Sequence, residues 1–439
     1  MRVLMVTAAF PLLSESGVEQ LVYGLADAGH DVRVLTIERR DTKVARVRQG
    51  GGDVETVSLG VEAGRLARGV SLAGTAVRVL RDNPGFARRA ATESWRGSSS
   101  TFGFVESLSR MLPFGQWNAD VVHFAWATTA SYFCDAFGLI EQPTVVSCRG
   151  SDVRVHPFSD VRLAERLPFL LSSATRVHCV SHELTARAEE HGLPQGTGVV
   201  IPPAIDLSLF QQRPFRSDAE RALQLVTVGR LHWVKGLEDA LRAVRLLVDR
   251  GIDVEYTIVG GGDPDATAAT MLALRDLGLE KQVTLLGPTP RRLIPSVLAA
   301  ADVFVLPSLS EGISNAALEA MAVGRPVVVT GVGGMSEAVR DGVDGFVVTP
   351  RDPVALAAAI ERLADPERRG EMGEAAAQRV SSDFTLPLQV AAFESLYEDA
   401  IAAHARRPRL TRSARDASAV EGATTDASGD PRATGTTTA

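Results

Sequence analysis

Two glutamates, Glu311 and Glu319, stand eight residues apart in the stretch EGISNAALEA. Ser314 or Asn315 can cap a helix that stops at Gly324, so one glutamate precedes the helix and the other lies inside it. The pair could be an acid/base dyad, a metal site, a sugar clamp, or two charges on a capped, solvated helix. No cluster of further ligands supports a metal, and the spacing does not fix two carboxylates around one bond. Because an ionised carboxylate accepts hydrogen bonds from vicinal hydroxyls, recognition of a sugar or ribose fits best, with a phosphate at the helix start.

The segment GRLHWVKG, residues 229–236, places two cations between a predicted strand and a predicted helix. Arg230 offers a planar fork for phosphate oxygens, and Lys235 offers a movable point charge. The free amides and the dipole of a helix start favour an anion at the same place. The segment predicts a phosphate site, and the alternative is two surface charges around a tight turn.

Two glycine-rich turns also follow predicted strands. GVGGMSE, residues 331–337, precedes a helix, and its glycines would allow a ligand to approach the backbone closely. A flexible turn explains the same residues equally well. The run Gly260-Gly261-Gly262 is weak evidence when taken alone.

Short apolar runs alternate with helical patterns, which predicts parallel sheets covered by helices on both faces. The pattern restarts after a proline-bearing, polar stretch at 202–220, so we predict an α/β chain of two doubly wound halves facing across a cleft. Ligands of such sheets bind at the carboxyl ends of the strands, where the motifs above fall. The predicted strands are 2–7, 32–37, 121–124, 144–148, 176–180, 198–201, 225–228, 254–259, 283–286, 303–306, 327–329 and 345–348, and the clearest helices are 18–28, 237–249 and 353–363.

Four regions follow from this pattern. Residues 1–205 form the first Rossmann-like domain, with an Arg-rich and aromatic insert at 60–117, and residues 206–380 form the second. Residues 381–405 form a helix that crosses back to the first domain. Residues 406–439 are low in apolar side chains and are predicted to be disordered.

Charge, cysteine content and hydropathy indicate which partners and which cellular compartment to expect. The net charge of −7, from 46 basic and 53 acidic residues, argues against general nucleic-acid binding. Three cysteines in apolar settings, without CxxC spacing, predict buried thiols in a reducing compartment. No stretch is apolar enough to span a bilayer, and the N-terminus fits a buried strand better than a secretory leader, so we predict a cytoplasmic protein.

Taken in order, the motifs resemble those of the retaining glycosyltransferases of family 4, which have the GT-B fold. Residues 229–236 match the family's G-R-L-x-x-x-K-G motif, Glu311 and Glu319 match its E-x7-E motif, and GGMSE at 333–337 matches its G-G-x-x-E turn. The resemblance runs over about residues 1–400 and is strongest in the second half.

The resemblance implies roles for particular residues. Arg230 and Lys235 would bind the donor diphosphate, Glu311 would contact the transferred sugar, and Glu319 would hold the ribose hydroxyls. The nucleobase would lie near LGPT at 286–289. The remaining donor-binding candidates are the loop and helix-start residues Gly17, Gly229, Gly287, Gly312, Ile313, Ser314 and Asn315.

Two departures concern the acceptor side. The family often has His-Gly where this chain has Arg149-Gly150-Ser151-Asp152, so Arg149 and Asp152 are expected to face acceptor or phosphate. PAID at 203–206 replaces a common Asn-Gly-Val-Asp and predicts a changed turn only. His123, which closes the strand VVHF, is expected to face the same cleft, as an acceptor or sugar contact or as a hydrogen-bonded structural histidine.

The implied reaction moves a sugar from a nucleotide-diphosphate sugar to a hydroxyl acceptor, with retention and without metal or cofactor. An epimerase or phosphorylase on the same fold, and a non-catalytic binding protein, are the alternatives. The insert at 60–117 predicts either peripheral contact with an anionic membrane or a lipid-linked acceptor, or a loop packed on its own domain.

Overall fold

The computed structural model of the chain describes residues 1–11, 16–38, 54–59, 65–98, 100–214, 221–262 and 264–406. The predicted tail beyond Arg406 and part of the predicted linker, 215–220, lie outside these residues. Within them the chain forms two separate sheets, and every strand pairing is parallel. The predicted fold class, two doubly wound α/β halves, is confirmed.

Seven strands of the first half run in the order β3-β2-β1-β4-β5-β6-β7. Strands β4 and β5 are buried along their whole length, as expected for apolar runs covered by helices on both faces. The prediction missed only the polar edge strand β3, whose sequence VETVS lacks an apolar run. The strands are β1 Arg2–Thr7, β2 Asp31–Thr36, β3 Val54–Ser58, β4 Val121–Phe124, β5 Thr144–Cys148, β6 Arg176–Cys179 and β7 Gly198–Val200.

Six strands of the second half run in the order β10-β9-β8-β11-β12-β13. The chain order reverses direction between β8 and β11, and this switch point is where an open α/β sheet binds its ligand. The strands are β8 Leu223–Val228, β9 Val254–Val259, β10 Val283–Gly287, β11 Val303–Leu306, β12 Val327–Thr330 and β13 Gly345–Val348.

Helices cover both faces of each sheet. Those of the first half are α1 Ser16–Asp27, α2 Arg65–Asp82, α3 Pro84–Arg96, α4 Thr101–Met111, α5 Ala127–Tyr132, α6 Cys134–Phe137, α7 Ser151–Arg154, α8 Val161–Ser173 and α9 His182–Glu190. Those that follow are α10 Leu237–Asp249, α11 Pro264–Asp276, α12 Ile294–Ala300, α13 Asn315–Ala322, α14 Met335–Ala338, α15 Pro353–Glu361, α16 Pro366–Asp383 and α17 Leu386–Arg406. Short 3₁₀ turns at Trp233–Lys235 and Arg291–Leu293 precede α10 and α12.

The last helix, α17, returns to the first half, as predicted. Its buried side chains Phe393 and Tyr397 belong to the same core cluster as Val3 and Met5 of β1. The chain therefore passes between the halves twice, and the two crossings touch where Ile205 N donates to Phe384 O at 2.8 Å.

A row of buried polar groups joins α17 to the first sheet. Tyr397 Oη lies 2.8 Å from His123 Nδ1, whose Nε2 lies 2.7 Å from Ser147 Oγ. Ser147 Oγ lies 2.7 Å from His178 Nδ1, and His178 Nε2 lies 2.8 Å from the carbonyl of Ile201. Since a carbonyl can only accept, the donors are fixed in turn: His178 Nε2, Ser147 Oγ, His123 Nε2 and Tyr397 Oη. Both histidines are then neutral, in agreement with burial that lowers the pKa of His178 to about 3.

The cysteines are free thiols within the described residues, and Cys148 and Cys179 are buried. In the part of the chain that the structure covers, no helix is long and apolar enough to cross a membrane.

Candidate donor site in the cleft

The first carboxylate–cation pair joins two of the predicted motifs. Lys235 Nζ lies 2.6 Å from Glu311 Oε1, and Ser308 Oγ donates to the same oxygen at 2.7 Å. Lys235 comes from the 3₁₀ turn after β8 and Glu311 from the loop after β11, and these neighbouring strands end at the same edge of the sheet. The side chains are only 21% and 11% exposed, so the pair is partly shielded from water. Such a pair holds Lys235 in place, and a donor phosphate would compete with Glu311 for it.

Arg230 lies two residues beyond the end of β8 and is exposed to solvent. Gly229 separates it from the strand, and a β-carbon on Gly229 would lie 3.6 Å from the Cε atom of Lys235. Both cations of the phosphate motif therefore emerge at one strand end, as predicted.

The second pair was not predicted. Glu319, inside α13, is buried with 6% of its surface exposed, and its Oε1 lies 3.2 Å from Arg291 Nη1. Burial raises the pKa of Glu319 to about 7, and the charge of Arg291 acts in the opposite direction. Arg291 comes from the 3₁₀ turn after β10, a strand on the far edge of the sheet. Two adjacent arginines after a strand end were the available signal, but only the return of the chain from β10 towards β11 brings Arg291 to Glu319.

Arg291 also reaches across the cleft to the first half. With the Gln20 amide oriented to satisfy both of its groups, its nitrogen donates to Ala204 O at 3.1 Å and its oxygen accepts from Arg291 Nη2 at 2.9 Å. The guanidinium also lies 5.3 Å from the centre of the Phe210 ring. Gln20 therefore joins the residues that line the cleft, and its position in α1 gave no sequence signal.

Two helix starts face each other here. A β-carbon on Gly17, in the first turn of α1, would lie 3.7 Å from Asn315 Nδ2 in the first turn of α13. Both helix N-termini carry a partial positive charge, which favours an anion between them. Ser314 is the N-cap of α13, since its Oγ accepts from Ala317 N at 3.4 Å.

One of the predicted donor-binding residues does not face the cleft. Ser314 is 5% exposed, and its N–H points at Met335 Sδ, 3.3 Å away. Packing of α14 under the loop causes this. Gly312 is also buried, because it packs against the first half: a β-carbon there would lie 2.1 Å from Arg149 O. Ile313 and Asn315 are partly exposed.

The two predicted acceptor-side residues of the loop after β5, Arg149 and Asp152, differ in their exposure. Arg149 is half-buried at the end of β5, where Nε donates to Ala125 O at 2.9 Å and the backbone touches the Glu311–Gly312 loop. Asp152 is fully buried, and its carboxylate accepts from the backbone N–H groups of Arg149, Gly150 and Ala127. It shapes the loop that carries Arg149, so the expectation that Asp152 itself faces a ligand is wrong.

The structure decides between the two interpretations of His123. The residue has no exposed surface, because α17 packs over it and Tyr397 and Ser147 take up both ring nitrogens. Of the two readings left open, the hydrogen-bonded structural histidine is the correct one.

Gly287 ends β10 at the second sheet's edge, with φ of 76°, and the predicted base-binding segment 286–289 begins the turn that leads to Arg291. The glycines at 333–334 do not open a ligand channel. A β-carbon on Gly333 would lie 1.9 Å from Glu311 O, so this turn packs directly on the donor loop.

Comparisons with known proteins agree with this arrangement. Residues 14–204 match the model of the glycosyl transferase 4-like domain, and residues 222–365 match that of glycosyl transferases group 1. A D-inositol 3-phosphate glycosyltransferase of Corynebacterium diphtheriae is 39% identical over 215 residues, which cover 46% of this chain and 50% of that protein. The chain thus spans about half the length of the first curated relatives it matches. The putative colanic acid biosynthesis glycosyltransferase WcaL of Salmonella typhimurium is 28% identical over 395 residues, 85% of this chain and 94% of that protein.

Solved structures share the fold. Sucrose-phosphate synthase from Thermosynechococcus elongatus superposes with a TM-score of 0.71 at 21% identity, over 92% of this chain and all of that one. HepE of Anabaena, solved in complex with UDP-glucose, superposes with a TM-score of 0.68 at 18% identity, over 91% of this chain and all of that one. The predicted GT-B architecture is confirmed.

Proposed function

Because the chain is a glycosyltransferase of the family 4 type, in which a 4-like domain precedes a group 1 domain, we propose that it moves a sugar from a nucleotide-diphosphate sugar to a hydroxyl acceptor with retention at the anomeric carbon. The observation that carries the proposal is the pair of carboxylate–cation contacts in the cleft, Lys235–Glu311 at 2.6 Å and Arg291–Glu319 at 3.2 Å. HepE, a fold neighbour, was solved with UDP-glucose, which supports this donor class.

The proposed donor lies along these contacts. Its diphosphate sits between the α1 and α13 helix starts and is neutralised by Arg230 and Lys235. The ribose hydroxyls bind Glu319, whose ionisation is assisted by Arg291. Glu311 accepts hydrogen bonds from the hydroxyls of the transferred sugar, while Ser308 keeps the carboxylate in place.

The proposed chemistry uses the growing charge of the leaving group. As the bond from the anomeric carbon to the phosphate oxygen breaks, the sugar becomes oxocarbenium-like and negative charge collects on the diphosphate. Fixed cations and helix-start amides stabilise that charge more in the transition state than in the ground state. The acceptor hydroxyl attacks from the same face, and its proton passes to the departing phosphate oxygen. No protein base is needed, and we expect activity to survive EDTA.

A panel of nucleotide sugars tests the donor. UDP-, GDP- and ADP-sugars are each added at the same concentration, chosen to be about 100 times the dissociation constant of the matching donor, where the bound donor contributes about 2.7 kcal/mol to stability. The matching donor raises the melting temperature by several degrees, and the others do not. Proton NMR of the product with a hydroxyl acceptor then reports the anomeric configuration. An inverted product would refute retention, and conversion of the donor sugar without any acceptor would favour an epimerase.

The acceptor side carries a second proposal, peripheral contact with an anionic membrane through 60–117. This segment contains eight arginines and four acidic residues, a formal charge of +4 within a chain of −7. Its helices expose large apolar side chains, with Trp95 74%, Phe102 67% and Val77 66% exposed. Basic charge beside exposed aromatic rings suits an anionic interface.

Sedimentation with vesicles tests the membrane contact. The protein is expected to pellet with phosphatidylglycerol vesicles at low salt and not with phosphatidylcholine vesicles. The double variant Trp95→Ala, Phe102→Ala should lose most of this binding. If the wild-type protein stays in the supernatant with anionic vesicles at low salt, the membrane contact is excluded.

A further inference from the structure

A carboxylate of the second half caps a helix of the first. Glu337 lies in α14, after β12, and its two oxygens accept from the backbone N–H groups of His182 and Glu183, each at 2.9 Å. These residues open α9, which belongs to the seven-stranded half. The next amide, that of Leu184, donates to the N-cap residue Ser181 at 3.2 Å. The first free amides of α9 are thus shared between its own cap and a residue from across the cleft.

The capped helix start lies against the donor loop, residues 310–313. Gly334 N donates to Gly312 O at 2.6 Å, so the turn that carries Glu337 is bonded to the loop that carries Glu311. A β-carbon on Gly334 would lie 2.5 Å from Ser181 Cβ and 2.6 Å from Ile313 Cγ1. Only glycine lets the turn, the loop and the start of α9 meet at this distance.

A second contact fixes the donor loop from the side of the first half. Arg154, at the end of α7, donates from Nε to Ser310 Oγ at 3.1 Å and forms an ion pair with Glu183. The donor loop is therefore enclosed by α14 on one side and by α7 and α9 of the first half on the other. Separating the halves here would leave two helix-start amides and one carboxylate without these partners.

We propose that Glu337 is a positioning residue that sets the closure of the two halves around the donor loop. It does not touch the proposed donor, and it acts through the amides of His182 and Glu183. This inference rests on the proposed function only for its kinetic consequence. The proposed donor contacts made by side chains, Arg230, Lys235 and Glu319, all lie in the second half, and only the α1 helix start comes from the first. Loss of Glu337 should therefore affect turnover more than donor affinity.

The variant Glu337→Gln tests the proposal, because it keeps the size of the side chain but turns an amide NH₂ towards an N–H donor. Hydrogen–deuterium exchange at residues 182–184 is expected to rise about tenfold, with a smaller rise at 310–313. We expect kcat to fall roughly ten- to hundredfold, the range for loss of a hydrogen bond to a charged group. The donor dissociation constant should change by less than about threefold.

A matched control is available in the same half. Asp352 caps α15 within that half, since its Oδ1 accepts from Ala355 N at 2.8 Å. Asp352→Asn should change exchange only at the start of α15 and leave kcat as in wild type. Glu337→Ala, which introduces no opposing donor, should reproduce the effects of Glu337→Gln.

The two readouts separate the possible failures. Wild-type exchange at 182–184 in both Glu337 variants would overturn the proposal, as would a fall in kcat no larger than that of Asp352→Asn. If the wild-type protein transfers no sugar, the proposed function fails, and the exchange experiment still decides whether Glu337 joins the two halves.

Discussion

Replacement of Glu319 by glutamine should make the protein more stable and a poorer binder of its donor. Glu319 is buried, and burial raises the pKa of its carboxyl from 4.5 to about 7. A carboxyl whose pKa is raised on folding leaves stability unaffected below its unfolded pKa. It reduces stability as the pH rises from the unfolded to the folded pKa, and no further above that value. For Glu319 the loss of stability therefore takes place between pH 4.5 and about 7.

The magnitude follows from the two pKa values. At 1.36 kcal/mol per pH unit, the raised pKa of Glu319 costs the fold about 3 kcal/mol at pH 8, where the folded carboxyl is ionised, and about 1 kcal/mol at pH 5, where the folded state keeps the proton that the unfolded state loses. Glutamine has nearly the same shape and carries no charge at either pH. Glu319→Gln should gain about 2 kcal/mol more stability at pH 8 than at pH 5. For a unit of 150–250 residues this corresponds to a difference of roughly 4–8 °C in the melting-temperature shift.

Differential scanning calorimetry at the two pH values measures the effect, and Glu280→Gln, at an exposed position, is the control with no pH-dependent shift. In the same samples, donor binding to Glu319→Gln should weaken by at least about tenfold, because a glutamine accepts hydrogen bonds from two ribose hydroxyls less well. Equal melting-temperature shifts at pH 5 and pH 8 would refute the argument that ionisation of a buried Glu319 reduces stability. Such a balance, in which a binding group reduces the stability of the fold, is typical of functional sites.

Two further variants test the cleft and the crossing helix. Tyr397→Phe removes the hydroxyl that donates to His123 Nδ1, 2.8 Å away in a fully buried setting, and should lower the free energy of unfolding by about 1–3 kcal/mol. A loss below about 0.5 kcal/mol in urea denaturation would contradict the hydrogen bonding assigned to this row of buried polar groups. Gly312→Ala places a β-carbon 2.1 Å from Arg149 O and should reduce kcat by at least about tenfold while the melting temperature falls only slightly. The control is Gly370→Ala, where a β-carbon meets nothing within 4 Å. Equal activity of both variants would show that the loop contact is unimportant.

Most strands could be predicted because a buried parallel strand is marked by its own residues and by the turns beside it. Six of the predicted strands, among them 121–124 and 254–259, have the same bounds in the structure, since buried parallel strands are continuous apolar runs between polar turns. The edge strand Val54–Ser58 is polar on its exposed face and gave no such signal. The helix Leu237–Asp249 was predicted to the residue because its apolar stripe, its acidic first turn and the preceding glycine agree.

Contacts between segments that lie far apart in the chain could not be predicted from the sequence. His123 stands at a strand end, where ligands are expected, yet helix α17 from 274 residues further along the chain covers it. Arg291 follows a strand three positions away from β11 in the sheet, and only the path of α12 brings it to Glu319. The glycines at 333–334 fit either close approach of a ligand or a flexible turn, whereas in the structure they make room for the backbone of the donor loop. Composition and spacing indicate which residues could act, and packing decides what they face.

Turnover of Lys235→Ala tests the central claim most directly. Lys235 is placed 2.6 Å from Glu311 and is proposed to neutralise the leaving diphosphate, and loss of one such group lowers kcat by about a hundred- to a thousandfold. Release of nucleoside diphosphate from the matching donor in the presence of acceptor would be measured for wild type, Lys235→Ala and the exposed-lysine control Lys281→Ala. We expect Lys235→Ala to keep the wild-type circular dichroism spectrum and to lose at least about a hundredfold in kcat, while Lys281→Ala turns over like wild type. Wild-type turnover in Lys235→Ala would contradict the assignment of this cleft as the donor site.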